Sequence, residues 1–188
     1  MRLGVLALGG VLLAGPLAAQ SGDVEAGRAL AGQCRTCHGL DGRAQIPVAP
    51  NIGGEPASYL AAQLRAFRSG ERVNEMMSVV AASLTDAQID DLAAWYAAHR
   101  PVATLAADPG AAPELCAACH GADGLSVVED APHLAGESNI YIETQLKAFR
   151  SGRRESAVMG PIAQDLSDAE IRAVADWYAA IGFEIAPP

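Results

Sequence analysis

The apolar positions first run unbroken along the chain, then settle into a helical spacing that recurs. Leu3 to Leu13 carries no charge, follows Met1-Arg2 and is broken by Gly15-Pro16. A basic start, a short apolar run and the small residues of Leu17-Ala18-Ala19 predict a secretory signal removed after Ala19. The run is too short and too interrupted to predict a bilayer span, which needs about 20 apolar residues. Downstream, Asp23-Val24-Glu25-Ala26 opens a first helix, and a second starts at Ala57 or Ser58 with Leu60, Leu64 and Phe67 on one face. A capping-box pattern, Thr85-x-x-Gln88, opens a third, in which Ile89, Leu92, Ala93 and Tyr96 follow the i, i+3, i+4, i+7 spacing. Ser167-x-x-Glu170 with Ile171, Val174, Ala175 and Tyr178 repeats that last pattern. No period-two strand candidate stands out, so the expected fold class is all-α.

The repetition extends well beyond one helix. The register that sets Cys34 on Cys116 also carries Ala66-Phe67-Arg68-Ser69-Gly70 onto Ala148-Phe149-Arg150-Ser151-Gly152, and Trp95-Tyr96 onto Trp177-Tyr178. Residues 34–99 align on 116–181 without a gap. Two copies predict two tandem domains rather than a solenoid, which stacks three or more units. The expected division is a signal at 1–19, a first domain at 20–103 and a second at 104–188. The join at about 101–113 carries Pro101, Asp108-Pro109-Gly110 and Pro113, a linker composition.

Composition narrows the function classes. With 51% apolar residues the chain is not disordered throughout. A net charge of −9 argues against nucleic-acid binding, which needs a basic footprint. The acidity is uneven: 7 basic and 9 acidic side chains lie in 20–103, against 5 and 13 in 104–188. This gradient predicts that a basic partner docks on the second half, with Glu129, Asp130 and Glu137 steering more than Glu71, Glu75 and Asp86.

Four cysteines decide the chemistry. Cys34-Arg35-Thr36-Cys37-His38 and Cys116-Ala117-Ala118-Cys119-His120 are both C-x-x-C-H, the pattern of c-type haem attachment. Residues three apart share a helix face, so each thiol pair can add to the two vinyl groups of one macrocycle while the adjacent His reaches iron. A thioredoxin-like pair needs a βαβ context that is absent here. A four-cysteine zinc site keeps its pairs about 15–20 residues apart, and Cys37 and Cys116 are separated by several times that span. Two covalent haem c groups are therefore expected. A Met follows each of these histidines at the same distance along the chain, Met77 and Met159, and thioether sulfur is a soft iron ligand. Met76 aligns with Val158 and is expected in the core or at the surface. Pro50 and Pro132, at matching positions in the Ala-Pro loop after each His, are candidate acceptors for its second ring nitrogen. Arg68, Arg72, Arg150 and Arg154 are candidate partners for haem propionates. His99 and His133 do not repeat and are expected to have no special role.

The order C-x-x-C-H, Ala-Pro loop, Met and a final helix containing Asp91-Leu92-Ala93-Ala94-Trp95-Tyr96 resembles class I cytochrome c. The doubled module resembles the di-haem cytochrome c4 family over about residues 23–183. That likeness implies two tandem cytochrome c domains, each wrapped around one covalent haem, with His38 and Met77, and His120 and Met159, as iron ligands. It implies a periplasmic electron carrier rather than an enzyme, with redox proteins as partners: a dehydrogenase or respiratory complex as donor and a terminal oxidase as acceptor. A haem subunit of a dehydrogenase complex is the alternative, and peripheral membrane association is compatible with either. Trp95 and Trp177 match the aromatic by which the last helix packs on the first. Asp108-Pro109-Gly110-Ala111-Ala112-Pro113 replaces a full first helix in the second copy.

Overall fold

The computed structural model describes residues 22–188, so the signal reading of 1–19 lies outside the described residues. Among the described residues the α-helices fall into two matching sets. The first comprises α1 (Val24–Leu30), α2 (Arg35–His38), α3 (Ala57–Ser69), α4 (Met77–Ala81) and α5 (Asp86–Ala97). The second comprises α6 (Glu114–His120), α7 (Asn139–Arg150), α8 (Met159–Gln164) and α9 (Asp168–Ala179). The predicted capping boxes are present: Thr85 Oγ1 accepts from Gln88 N–H at 3.2 Å, and Ser167 Oγ accepts from Glu170 N–H at 3.3 Å. The predicted faces are the buried ones. Ile89, Leu92, Ala93 and Tyr96 enter the first core, and Ile171, Ala175 and Tyr178 the second.

Helix α1 crosses α5 at near backbone contact. Asp23 caps α1 by accepting from Glu25 and Ala26 N–H, and its own N–H donates to Asp91 Oδ1 at 2.7 Å. Gly27 makes the crossing sterically feasible: a Cβ there would fall 2.0 Å from the Asp91 carbonyl oxygen and 2.8 Å from Trp95 Cβ. The second copy has no counterpart of α1. Asp108 caps a single 3₁₀ turn, Pro109–Ala111, and the chain goes straight into α6. The paired tryptophans differ as well. Trp95 Nε1 donates to Leu40 O at 2.9 Å, whereas Trp177 Nε1 is buried without a partner.

One expectation needs correction. The join is not a free linker at its start: Arg100–Thr104 forms β1, which pairs antiparallel with β2, Gly182–Ala186, from Arg100↔Ala186 to Thr104↔Gly182. The ribbon ties the end of the first copy to the end of the second. Pro101 is tolerated because a two-stranded ribbon has only edge strands.

The two copies meet in a polar seam that obeys the register of the sequence repeat. Arg72 donates to Gln63 Oε1 (2.7 Å), Gln145 Oε1 (2.9 Å) and the Tyr141 hydroxyl (3.2 Å). Arg154 donates to Gln145 Oε1 (2.8 Å), Gln63 Oε1 (3.0 Å) and the Tyr59 hydroxyl (3.3 Å). Each guanidinium also lies 4.4 Å from the ring centre of a phenylalanine in its own half, Phe67 or Phe149. A second layer crosses over in the same way. Glu55 Oε2 accepts from His133 N–H at 3.0 Å, and Glu137 Oε1 accepts from Asn51 N–H at 2.8 Å. Asn51 Nδ2 donates to Gly136 O at 3.2 Å, and His133 Nε2 donates to Gly54 O at 3.0 Å.

His133 therefore has a definite role, contrary to the expectation for it. Its Nδ1 accepts from Ser126 N–H at 2.8 Å, which assigns the proton to Nε2. It thus reproduces, with a ring, the bonds that Asn51 makes with an amide, accepting from Ala44 N–H and donating to Gly136 O. His99 remains a core residue: buried, edge-on to Trp95, with Nδ1 bonded to Trp95 O at 3.0 Å. Glu137, expected among the steering charges of the second half, is only 3% exposed and belongs to the seam.

Gly27→Ala should destabilise the fold by about 1–3 kcal/mol, the range for overpacking a tight contact. Gly32→Ala, where a Cβ meets nothing within 4 Å, should leave the thermal midpoint in place. A second expectation concerns pH. Burial pushes the Glu55 carboxyl up to about 8, against the lowering effect of the His133 N–H. An acid raised on folding binds more protons in the folded state. Stability should thus be lost as pH rises from about 4.5 to about 8, at no more than about 1.4 kcal/mol per pH unit for one proton. Denaturant titrations across that window should show the loss, and Glu55→Gln should flatten it.

Candidate functional site

Each C-x-x-C-H segment is one helical turn closed by its histidine. His38 ends α2 and His120 ends α6, and the next residue, Gly39 or Gly121, takes a positive φ that stops the helix. His38 N–H donates to Cys34 O at 3.0 Å, which sets the two thiols a turn apart. All four cysteines are free and half-buried. Among the described residues no group of three or more His, Cys, Asp and Glu gathers as a metal cluster. The two thiol pairs therefore do not come together as a four-sulfur site.

The loops after each motif supply the acceptors foreseen for the histidines. Ile52 N–H donates to Gly42 O at 2.8 Å, and Leu134 N–H to Gly124 O at 2.7 Å, folding each loop back on its motif. This brings Pro50 O to 2.9 Å from His38 Nδ1 and Pro132 O to 2.8 Å from His120 Nδ1. A carbonyl only accepts, so Nδ1 carries the proton and Nε2 presents its lone pair. Both rings are 7% exposed. Burial lowers both imidazole pKa values, against the raising effect of the carbonyl, which keeps the rings neutral.

The methionines differ in burial and in their place in the helices. Met77 and Met159 are the first residues of α4 and α8, and both are half-buried. Asn74 Oδ1 accepts from Met77 N–H at 2.9 Å, and Ser156 Oγ accepts from Met159 N–H at 3.0 Å, so each short helix start is pinned. Met76 is 62% exposed. The arginine expectation divides. Arg68 and Arg150 donate to Leu84 O and Leu166 O and pair with Asp86 and Asp168, where the guanidinium holds each carboxyl below its usual range. They tie α3 to α5 and α7 to α9 and are committed to the protein. Arg72 and Arg154 stand in the seam.

The donor chemistry fits a covalent haem c in each copy. Paired thiols sit one turn apart beside a buried neutral imidazole. Burial pushes the Cys34 and Cys116 thiols up from the usual cysteine range. The buried Tyr96 hydroxyl beside Cys34 has no nitrogen or oxygen partner. The seam residues Glu55, Tyr59, Gln63 and Arg72, with their copies, were not foreseen as an interface. Their signal was available: each is polar, and each recurs unchanged in the second copy as Glu137, Tyr141, Gln145 and Arg154.

Known proteins place this arrangement. The family described as cytochrome c oxidase, cbb3-type, subunit III matches twice, over residues 22–95 and 111–177. A thiosulfate dehydrogenase electron acceptor of Stutzerimonas stutzeri is 36% identical over 79% of this chain and 79% of its own. Cytochrome c4 of Thiocapsa roseopersicina is 36% identical over 85% of this chain and 93% of its own. The crystal structure of reduced cytochrome c4 from Pseudomonas stutzeri superposes with a TM-score of 0.74 at 26% identity, covering 86% of this chain and all of that one. With a matching motif, acceptor loop and methionine in each half, the chain belongs to the di-haem cytochrome c4 family, electron-transfer proteins that carry two covalently attached haem c groups.

Proposed function

We propose that each half holds one haem c through its own motif: Cys34 and Cys37 with His38 and Met77 in the first, Cys116 and Cys119 with His120 and Met159 in the second. When bound, the group supplies a one-electron iron couple, which His and Met ligation sets at a raised potential. The observation that carries this reading is the duplicated His–Pro bond. It turns a neutral imidazole so that only Nε2 is free to bind metal. The Asn74 and Ser156 bonds then start α4 and α8 at the methionine. With a His and a Met of each half holding the iron, the protein would leave no open position for a substrate, and the chain would act as a carrier rather than a catalyst.

The likeness to an electron acceptor of thiosulfate dehydrogenase supports a redox-protein donor of the dehydrogenase class. A terminal oxidase is the proposed acceptor. The apolar run before Ala19 supports export to the periplasm, and among the described residues no helix is long and apolar enough to cross a membrane. The domains of this reading are 20–103 and 104–188.

Met77→Leu or Met159→Leu should lower the potential of one haem by on the order of 0.1 V, within the ~0.8 V that axial ligands span, and should open that haem to carbon monoxide. Met76→Leu should do neither. Loss of the Met–iron absorption band in Met76→Leu would reverse the assignment in the first half. With Glu137 buried, the steering test rests on the exposed Glu129, Asp130 and Glu155. Neutralising these three should flatten the salt dependence of electron transfer with a basic redox protein. Neutralising Glu71, Glu75 and Asp86 should flatten it less.

A further inference from the structure

Two carboxyl groups are buried inside the seam, one from each half. Glu55 is 4% exposed and Glu137 is 3% exposed. Each accepts one backbone N–H from the opposite half. Glu137 Oε2 is buried and has no hydrogen-bond partner. Neither carboxyl forms an ion pair among the described residues; the pairs that occur there involve other groups. The titratable groups around the pair are Tyr59 from α3, Tyr141 from α7, and His133, behind which lie His120 and Asp123. Arg72 and Arg154 are the neighbouring cations, but their hydrogen bonds go to Gln63, Gln145, Tyr59 and Tyr141.

Two ionised carboxylates here would repel each other inside a buried seam, with one oxygen facing no protein donor. One proton on the pair removes the repulsion and turns an orphaned acceptor into a hydroxyl donor. Burial and then the charge of Glu55 push Glu137 well up, and burial raises Glu55 itself to about 8, so both carboxyls favour the protonated form over their usual range.

We propose that Glu55 and Glu137 form a proton-binding site in the seam, which takes up a proton when the protein accepts an electron and releases it when the electron leaves. This rests on the di-haem reading above. The electron comes from the reduced donor protein and the proton from bulk water. The only bond formed is one carboxyl O–H, and it breaks on reoxidation. The coupling is electrostatic: an added electron in either half makes a second ionised carboxylate between the halves more costly. The seam is shared, so one proton site senses both halves.

The test is a spectroscopic redox titration of the haem-loaded protein between pH 6 and pH 9. Wild-type midpoints should fall as pH rises through about 8. Glu55→Gln and Glu137→Gln should each weaken that dependence, and the double variant should abolish it. His133→Asn, which installs the residue used by the first half, should retain it. The reduced-minus-oxidised infrared spectrum of the wild type should contain a protonated-carboxyl stretch that shifts in D2O. This second readout decides the matter even if the double variant fails to fold. A flat wild-type profile, an unchanged slope in the double variant, loss of the slope in His133→Asn, or no carboxyl band would overturn the proposal. Failure of the ligand reading shows separately, as a Met–iron band that survives Met77→Leu and Met159→Leu.

Discussion

The hydrogen bond from each C-x-x-C-H histidine to a proline carbonyl is the contact on which the arrangement turns. A free imidazole could present either nitrogen, and a buried one without a partner would add an unsatisfied polar group to a small core. Pro50 and Pro132 remove both problems with one acceptor each. The requirement then propagates outward. Each acceptor must be delivered by a loop that doubles back, hence the bonds from Ile52 to Gly42 and from Leu134 to Gly124. Those loops end at Glu55 and Glu137, so the chain that positions the histidine also builds the seam between the halves.

The seam shows how a duplication becomes an interface. The bonds across it are reciprocal, Arg72 to Gln145 matched by Arg154 to Gln63 and Asn51 to Glu137 by His133 to Glu55, as in the self-complementary contact of a symmetric dimer. Symmetry forces like to face like: two guanidinium groups in one layer and two carboxyls in the next. The arginines are accommodated by neutral oxygens of Gln and Tyr and by the faces of Phe67 and Phe149. The carboxyls have only backbone N–H groups, which is why protonation matters there. His133 breaks the symmetry chemically while keeping it geometrically, since its two ring nitrogens fill the donor and acceptor roles of the Asn51 amide.

Much of this was legible in the chain. The helical faces and both capping boxes depend on residues within a few positions of each other, so local spacing suffices. The motif cysteines and histidines are likewise local, and the repeat register distinguishes Met77 from Met76 as burial does. The ribbon was not legible, because Arg100–Thr104 finds its partner at the far end of the chain and contains a proline that argues against a strand. Glu137 looked like a surface charge because burial of a carboxyl is a property of the interface and not of its neighbours in sequence. Arg68 and Arg150 looked free for an anion because their partners, the carbonyls of Leu84 and Leu166 and the first carboxylates of α5 and α9, lie beyond the reach of any local pattern.

The central claim is that both halves present the same donor set to iron. Iron K-edge X-ray absorption on the oxidised, haem-loaded protein counts sulfur in the first coordination shell of both irons at once. The account predicts one sulfur and five nitrogens per iron. No sulfur, or half a sulfur per iron on average, would contradict it, because it would mean that one or both methionines at the starts of α4 and α8 are not ligands.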